Sequence, residues 1–254
     1  SIFINSRNRE NEPVYAREIF THFLRQAYRR PPEEREVKGM MALWKSERAA
    51  AGKEAFEKSI RDVLPAALVA PAFLYLVEPS AASESRKLNN YELASRLSYF
   101  LWSAMPDAAL NQLADQGKLD ESVLPTQARR LLADVRSRQF GENFTSQWLD
   151  LGALERVAVD RKQPPTFQPY LRKAMRAETY GFFAEILHDD LSALNLIDSS
   201  FVYINPLLAR HYGIQGVRGA QFRRVEVRPE DHRGGLLSQS SFLTGHSSGL
   251  DSHP

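Results

Sequence analysis

Leu88-Asn-Asn-Tyr-Glu-Leu-Ala-Ser-Arg-Leu-Ser-Tyr-Phe-Leu-Trp-Ser-Ala-Met-Pro-Asp107 is the clearest helical stretch of the chain. Asn89 stands as a cap and Glu92 follows three residues on, the spacing of a capping box with Asn in the Ser/Thr role. Leu93, Ala94, Leu97, Phe100, Leu101, Ala104 and Met105 recur at helical spacing as a broad apolar face, and Pro106 is expected to end the helix. Tyr91, Ser95, Ser98 and Trp102 make a second face, small residues between two aromatics. Little is left to meet water, so this helix reads as central, with others packed around it. Glu92 and Arg96 form an i,i+4 pair that adds a few tenths of a kcal/mol on a surface. The same pair is a demanding feature if buried.

N-terminal to this stretch, three helices are expected. Val14, Ile19, Phe20, Phe23, Leu24 and Ala27 fit one over 13–30, broken by Pro31-Pro32. A second runs to about Gly52 with Val37, Met40, Met41 and Trp44 inward. A third starts near Lys53, with Pro65 as a kink and Pro71 as its end. Phe73 to Val77 is a buried extended segment or a last helical turn. Residues 78–87 read as a linker. C-terminal to it, short helices are expected near 107–116 and 121–134, then one over 137–151 with Phe140, Phe144, Trp148 and Leu151 on one side. Residues 152–168 read as irregular. Pro169 to His188 is a long amphipathic helix. Asn205 as cap, Pro206 at the first helical position and Gly213 at the end define a short one. Phe222 to Val227 is the one convincing strand, and the chain beyond Leu236 reads as loop. The fold class is all-α, a multi-helix, bundle-like array with at most a small β element near the C-terminus.

With 254 residues, 43% apolar and 25% charged, the composition is that of an ordinary globular chain. A net charge of +2 argues against a dedicated nucleic-acid binder. Of the 33 basic residues only 8 are Lys. That Arg bias suits bidentate anion contacts, although surface ion pairs explain it more simply. The absence of Cys excludes disulfides, thiolate metal sites, a Cys nucleophile and covalent c-type haem within this chain. Val63 to Val77 is the longest apolar run, too short and too Pro-interrupted for a membrane span. Ser1 to Asn5 does not read as a signal peptide. The chain starts without Met and stops at Ser-His-Pro, which reads as a piece of something longer.

Candidate chemistry falls in three places. Glu178 interrupts the apolar line of Leu171, Met175, Phe182 and Ile186. A carboxylate there is desolvated, which suits a general base or a metal ligand; a salt bridge to an arginine is the plainer reading. Arg96 is its candidate partner if the central helix and the long helix wall one polar site. His232, His246, Asp251 and His253 lie within 22 residues of a Ser/Gly-rich tail, and imidazole with carboxylate suits a transition metal. Glu185 and His188 have the Glu-x-x-His spacing of di-iron bundles but lack the second pair. His211, at a helix end before Gly213, reads as a capping residue or one held by a buried hydrogen bond. No Walker loop, dinucleotide fingerprint or nucleophile elbow is present.

Several phrases, in order, carry a family resemblance: Arg25-Gln-Ala-Tyr-Arg-Arg-Pro31, Val69-Ala-Pro-Ala-Phe-Leu-Tyr75, Tyr91-Glu-Leu-Ala-Ser-Arg-Leu-Ser-Tyr-Phe-Leu-Trp102, Ile204-Asn-Pro-Leu-Leu-Ala-Arg-His-Tyr-Gly213 and Arg233-Gly-Gly-Leu-Leu-Ser-Gln239. Together they resemble the planctomycete-type cytochrome-associated families of unknown function, tandem domains of large exported bacterial proteins. The resemblance implies a first domain over 1–77, a second over 88–228 and the start of a third over 229–254. It implies a periplasmic or cell-surface location, haem on a neighbouring domain, and other domains of the same protein, including a cytochrome, as partners. It supplies no catalytic residues. The reading that follows is a helical binding or docking module, presenting a substrate to a redox centre elsewhere. The alternative is a metal-dependent enzyme using the C-terminal His/Asp group, or Glu178 as base.

Overall fold

The computed structural model describes residues 2–50, 56–75, 86–157 and 169–247. Most of the expected linker, the Pro164-Pro165 stretch, Asp251 and His253 lie outside them. The chain packs as two compact units, Ser1–Phe100 with Ala104–Ala128, and Leu101–Ser103 with Arg129–Pro254. Twelve α-helices and one two-stranded sheet make up the described residues, so the fold is mostly α with a small β element.

In the first unit α1 (Glu12–Tyr28) starts at an Asn11 cap with Pro13 in its first turn. It lays Ile19, Phe20 and Leu24, all fully buried, against Val37, Met40 and Trp44 of α2 (Glu34–Ala50) and Ile60, Val63 and Leu64 of α3 (Phe56–Leu68). The Trp44 indole N–H donates to Ser59 Oγ at 3.0 Å, so the ring is buried without an orphaned donor. Pro65 sits inside α3 without ending it, and the helix continues to Leu68. Pro71 opens a new single turn, α4 (Pro71–Leu74), instead of closing α3. Its fixed φ and missing N–H suit a first helical position. Phe73 and Leu74 thus end a helical turn, Tyr75 follows it in an extended conformation, and Leu74 and Tyr75 are 57% and 64% exposed; Leu76 and Val77 lie outside the described residues. The Arg29 guanidinium donates to the carbonyls of Ala72, Phe73 and Tyr75, satisfying groups that a helix end leaves bare.

The central stretch forms α5 (Asn90–Trp102). The capping box is present as read: Asn89 Oδ1 accepts from the N–H groups of Tyr91 and Glu92, and Glu92 accepts from Asn89 N–H. The helix stops four residues short of Pro106, at Ser103, whose φ of 53° is left-handed. Ala94, Leu101, Ser95, Ser98 and Trp102 are buried, whereas Phe100 and Met105 are 61% and 52% exposed. Small polar residues thus take more of the buried side than the apolar periodicity implied. Asp107 caps α6 (Ala108–Asp115), accepting from Leu110 N–H at 3.0 Å, and α7 (Leu124–Leu132) follows.

The second unit is built on α10 (Pro169–His188), which runs over the bounds its periodicity gives. Around it stand α8 (Arg138–Trp148), the single turn α9 (Ala153–Arg156), α11 (Pro206–Tyr212) and α12 (Ser240–Gly245). The sheet pairs β1 (Phe201–Ile204) antiparallel with β2 (Arg223–Glu226), Phe201 opposite Glu226. Leu171 and Met175 pack on Val202, Ile204 and Leu208, and Phe182 and Ile186 pack on Phe201 and Leu236. Gly181 leaves room for the Tyr203 ring, which a Cβ would meet at 2.1 Å. Trp102 donates to Leu131 O at 2.8 Å beneath the Arg136 guanidinium, 3.4 Å from its ring centre. Three expectations fail here. Residues 153–156 form the turn α9 within a stretch read as irregular, residues 201–204 form a strand where none was read, and the tail past Leu236 folds into a 3₁₀ turn and α12 instead of a loop. No helix among the described residues is long and apolar enough to cross a membrane.

Candidate functional site

Two places hold the chemistry. The first is Glu178, in the middle of α10 and fully buried. Tyr212, the last residue of α11, donates its hydroxyl to Glu178 Oε2 at 2.5 Å and accepts from Ser240 N–H at 3.0 Å. The Arg233 guanidinium lies 4.2 Å above the Tyr212 ring and donates to Ser238 O at 2.5 Å. Beside Glu178, Thr179 donates to Gln239 Oε1 at 2.7 Å and sits 2.6 Å from Ser241 Oγ. Thr179 has one hydroxyl proton, so Ser241 is the donor in that second bond. Gly235 brings the 233–241 segment in: its φ is +70°, and a Cβ there would lie 2.2 Å from Ile197 O.

Burial pushes the Glu178 carboxyl up to about 8, against the opposing pull of the Tyr212 hydrogen bond and then the Arg233 charge. The Tyr212 phenol is raised too, first by burial and then by Glu178. Burial, followed by the Arg233 charge, lowers His211. Glu178 is thus mostly protonated at neutral pH, a carboxylic acid held in the core. Among the described residues the buried side-chain atoms without a partner are Glu178 Oε1, Arg233 Nε and Gln239 Nε2, all in this one network. An enclosed acid of this kind holds a proton; as a base it has no open face toward a substrate.

The other sequence candidates do not join it. Arg96 is exposed on α5, where its charge acts on Glu92, and it belongs to the first unit while Glu178 belongs to the second. The leading ion pair of Glu92 is with Arg86, and the Arg96 charge adds to it. His232 is exposed with a left-handed φ of 50°, and His246 is exposed against Phe242, its Nδ1 2.9 Å from Phe242 O. With Asp251 and His253 outside the described residues, no group of three His, Cys, Asp or Glu that could hold a metal occurs among those described. His188 is exposed and pairs with Asp189, away from any second Glu-His pair.

The second place is a cleft of about 820 Å³ in the first unit. Its walls come from α2, the α4 turn and the start of α5. Two of its carboxylates are held in the same way. Glu36 accepts from Arg30 and from Glu33 N–H; Glu92 accepts from Arg86 and from Asn89 N–H. Each therefore neutralises an arginine six residues upstream and caps a helix three residues upstream. The Arg86 bond leads in lowering Glu92; for Glu36 the rise from burial is outweighed by Arg30 and the Glu33 N–H. This doubled Arg-x5-Glu spacing was legible in the sequence and passed over there, because its arginines lie before the helices. Tyr28, Met40, Leu43 and Tyr75 add apolar area.

Residues 88–214 match the family described as PSD4: Protein of unknown function (DUF1592), and residues 15–78 match PSD5: Protein of unknown function (DUF1595). Nothing among curated proteins or solved structures matches the chain. Glu178, Tyr212 and the Glu92 cap fall inside the first range, the Arg30–Glu36 cap inside the second, and Arg233 and Gln239 beyond both. By a match that takes in half its length, and by a second domain of the accompanying family ahead of it, this chain belongs to the planctomycete-type cytochrome-associated PSD4 family, of unknown function.

Proposed function

We propose that the chain is a helical binding module of an exported, cytochrome-associated multidomain protein, and that the cleft in its first unit holds the ligand. The observation that carries this is the cleft itself. Its volume lies within the roughly 300–1,000 Å³ of small-molecule sites, and it combines apolar walls with a few polar groups fixed by their own neighbours. Haem on another domain, and a periplasmic or surface location, rest on the family alone. Two measurements test the reading. A native preparation of the full-length protein should carry haem absorbance or a redox-active partner; a preparation with neither removes the cytochrome link. In a thermal-shift screen of small metabolites, oligosaccharides and short peptides, any stabilising compound should lose its effect on Gly39→Trp, because Gly39 borders the cleft and open space lies above it. Hits indifferent to that change would place binding elsewhere. The metal-dependent enzyme with a C-terminal His/Asp group, or Glu178 as base, has only the raised Glu178 pKa in its favour, and enclosure works against it.

A further inference from the structure

Resting on the cleft as the binding site, we propose that its ligand is an uncharged sugar ring, the pyranose unit of a neutral glycan, and that Gly39 is the position which admits it. Two independent observations converge. The first is Gly39. It lies in the interior of α2, has an ordinary helical φ, and a Cβ added there would meet nothing within 4 Å. No packing or backbone conformation requires glycine, yet mid-helix Gly costs about 0.5–1 kcal/mol relative to Ala. What the missing side chain does provide is bare helix surface in the wall of the cleft, next to Met40 and Leu43. A flat ligand face can lie there in contact with the backbone.

The second is the charge state of the walls. Arg30 is committed to Glu36, Arg35 to Glu33, and Glu92 to Arg86. Arg29 is committed to three backbone carbonyls. A cation entering the cleft meets carboxylates already paired with arginines, and an anion meets guanidinium donors already taken by carboxylates or, at Arg29, by backbone carbonyls, so either would lose hydration without a full partner. A neutral hydroxyl does better. Carboxylates in ion pairs keep lone pairs that accept O–H, and the Tyr28 and Tyr75 hydroxyls have no hydrogen-bond partner among the described residues. A pyranose offers that combination, an apolar C–H face for Gly39, Leu43 and a tyrosine ring, and a rim of hydroxyls for the rest. A neutral peptide satisfies the apolar part, but its donors are one N–H per residue spaced along a backbone, not a rim around a flat apolar face. Both strands among the described residues lie in the second unit, so the described residues of the first offer no sheet edge for a peptide to extend.

The test is calorimetric titration of the whole chain with cellohexaose, xylohexaose and mannohexaose, with trigalacturonate and a heparin hexasaccharide as charged probes and decaproline as the peptide probe. At least one neutral hexasaccharide should bind, with an affinity unchanged between 0.1 and 1 M NaCl. Binding should fall at least tenfold in Gly39→Trp and in Tyr75→Ala, and weaken in Gly39→Ala, whose methyl stands where the ring would lie. Gly39→Ala should be no less stable than the parent, so its weaker binding would not be a loss of fold. Salt-sensitive binding of a charged probe alone, or binding of decaproline alone, lost in Gly39→Trp, would overturn the sugar and leave the cleft as the site. A neutral sugar bound equally well by Gly39→Trp would overturn the cleft. Silence from all six probes overturns the proposal.

Discussion

Glu178 shows what one buried carboxyl does to the stability of its unit. Its pKa rises from 4.5 to about 8 on folding, so between those values the native state holds a proton that the unfolded chain releases. The stability it contributes is complete below pH 4.5 and is lost as pH rises toward 8, by up to about 1.4 kcal/mol per pH unit, with no further loss above. The neutral isostere Glu178→Gln should lack that slope. Urea unfolding at pH 5, 7 and 9 measures it: the difference between parent and variant should move in the variant's favour by several kcal/mol over that span. Parallel curves would mean that Glu178 is ionised in the core. The burial of Glu178 was legible from its place in an apolar line. Its partners were not. Tyr212 is 34 residues away, and Arg233 and Gln239 come from a segment whose composition reads as loop; side-chain pairing at such separation leaves no periodic trace.

Among elements, the legible ones were those with their own punctuation. The Asn89 box, the Asn205-Pro206 start with Gly213 at its end, and the 3.6-residue pattern of α10 are local signals, and each helix begins where they put it. β1 was missed because all but Tyr203 of its four residues are buried, which removes the alternation by which a strand is read, and its partner lies beyond an intervening helix. α12 was missed because Ser240 and Ser241 are its buried residues, held by hydrogen bonds instead of apolar packing. The contact between α10 and β1 has a direct test. Gly181→Ala puts a methyl where the Tyr203 ring lies, at 2.1 and 2.3 Å from its atoms. Overpacking of this kind typically costs about 1–3 kcal/mol, and the melting temperature should fall accordingly. The double change with Tyr203→Ala should recover part of that loss; failure to do so would locate the strain elsewhere.

At the scale of the whole molecule, the two matched families divide the chain between residues 78 and 88, while compact packing groups α6 and the first helices in one unit and carries the second through residue 247. The segment 233–247 is thus part of the body around α10, supplying Leu236 to its core and Gln239, Ser240 and Ser241 to its polar network. Ending the chain at His232 should leave Thr179 and Tyr212 without those partners. The second unit should then melt earlier and bind a hydrophobic dye, whereas a truncated chain melting like the parent would show that the segment adds nothing. The three tryptophans make such events visible without any label. Trp44 lies in the first unit and donates to Ser59, Trp102 is enclosed in the second under a guanidinium, and Trp148 of the second is half-exposed. Their emission should therefore separate into two shielded components and one accessible to aqueous quencher. Light alone can report which half of the protein has come undone.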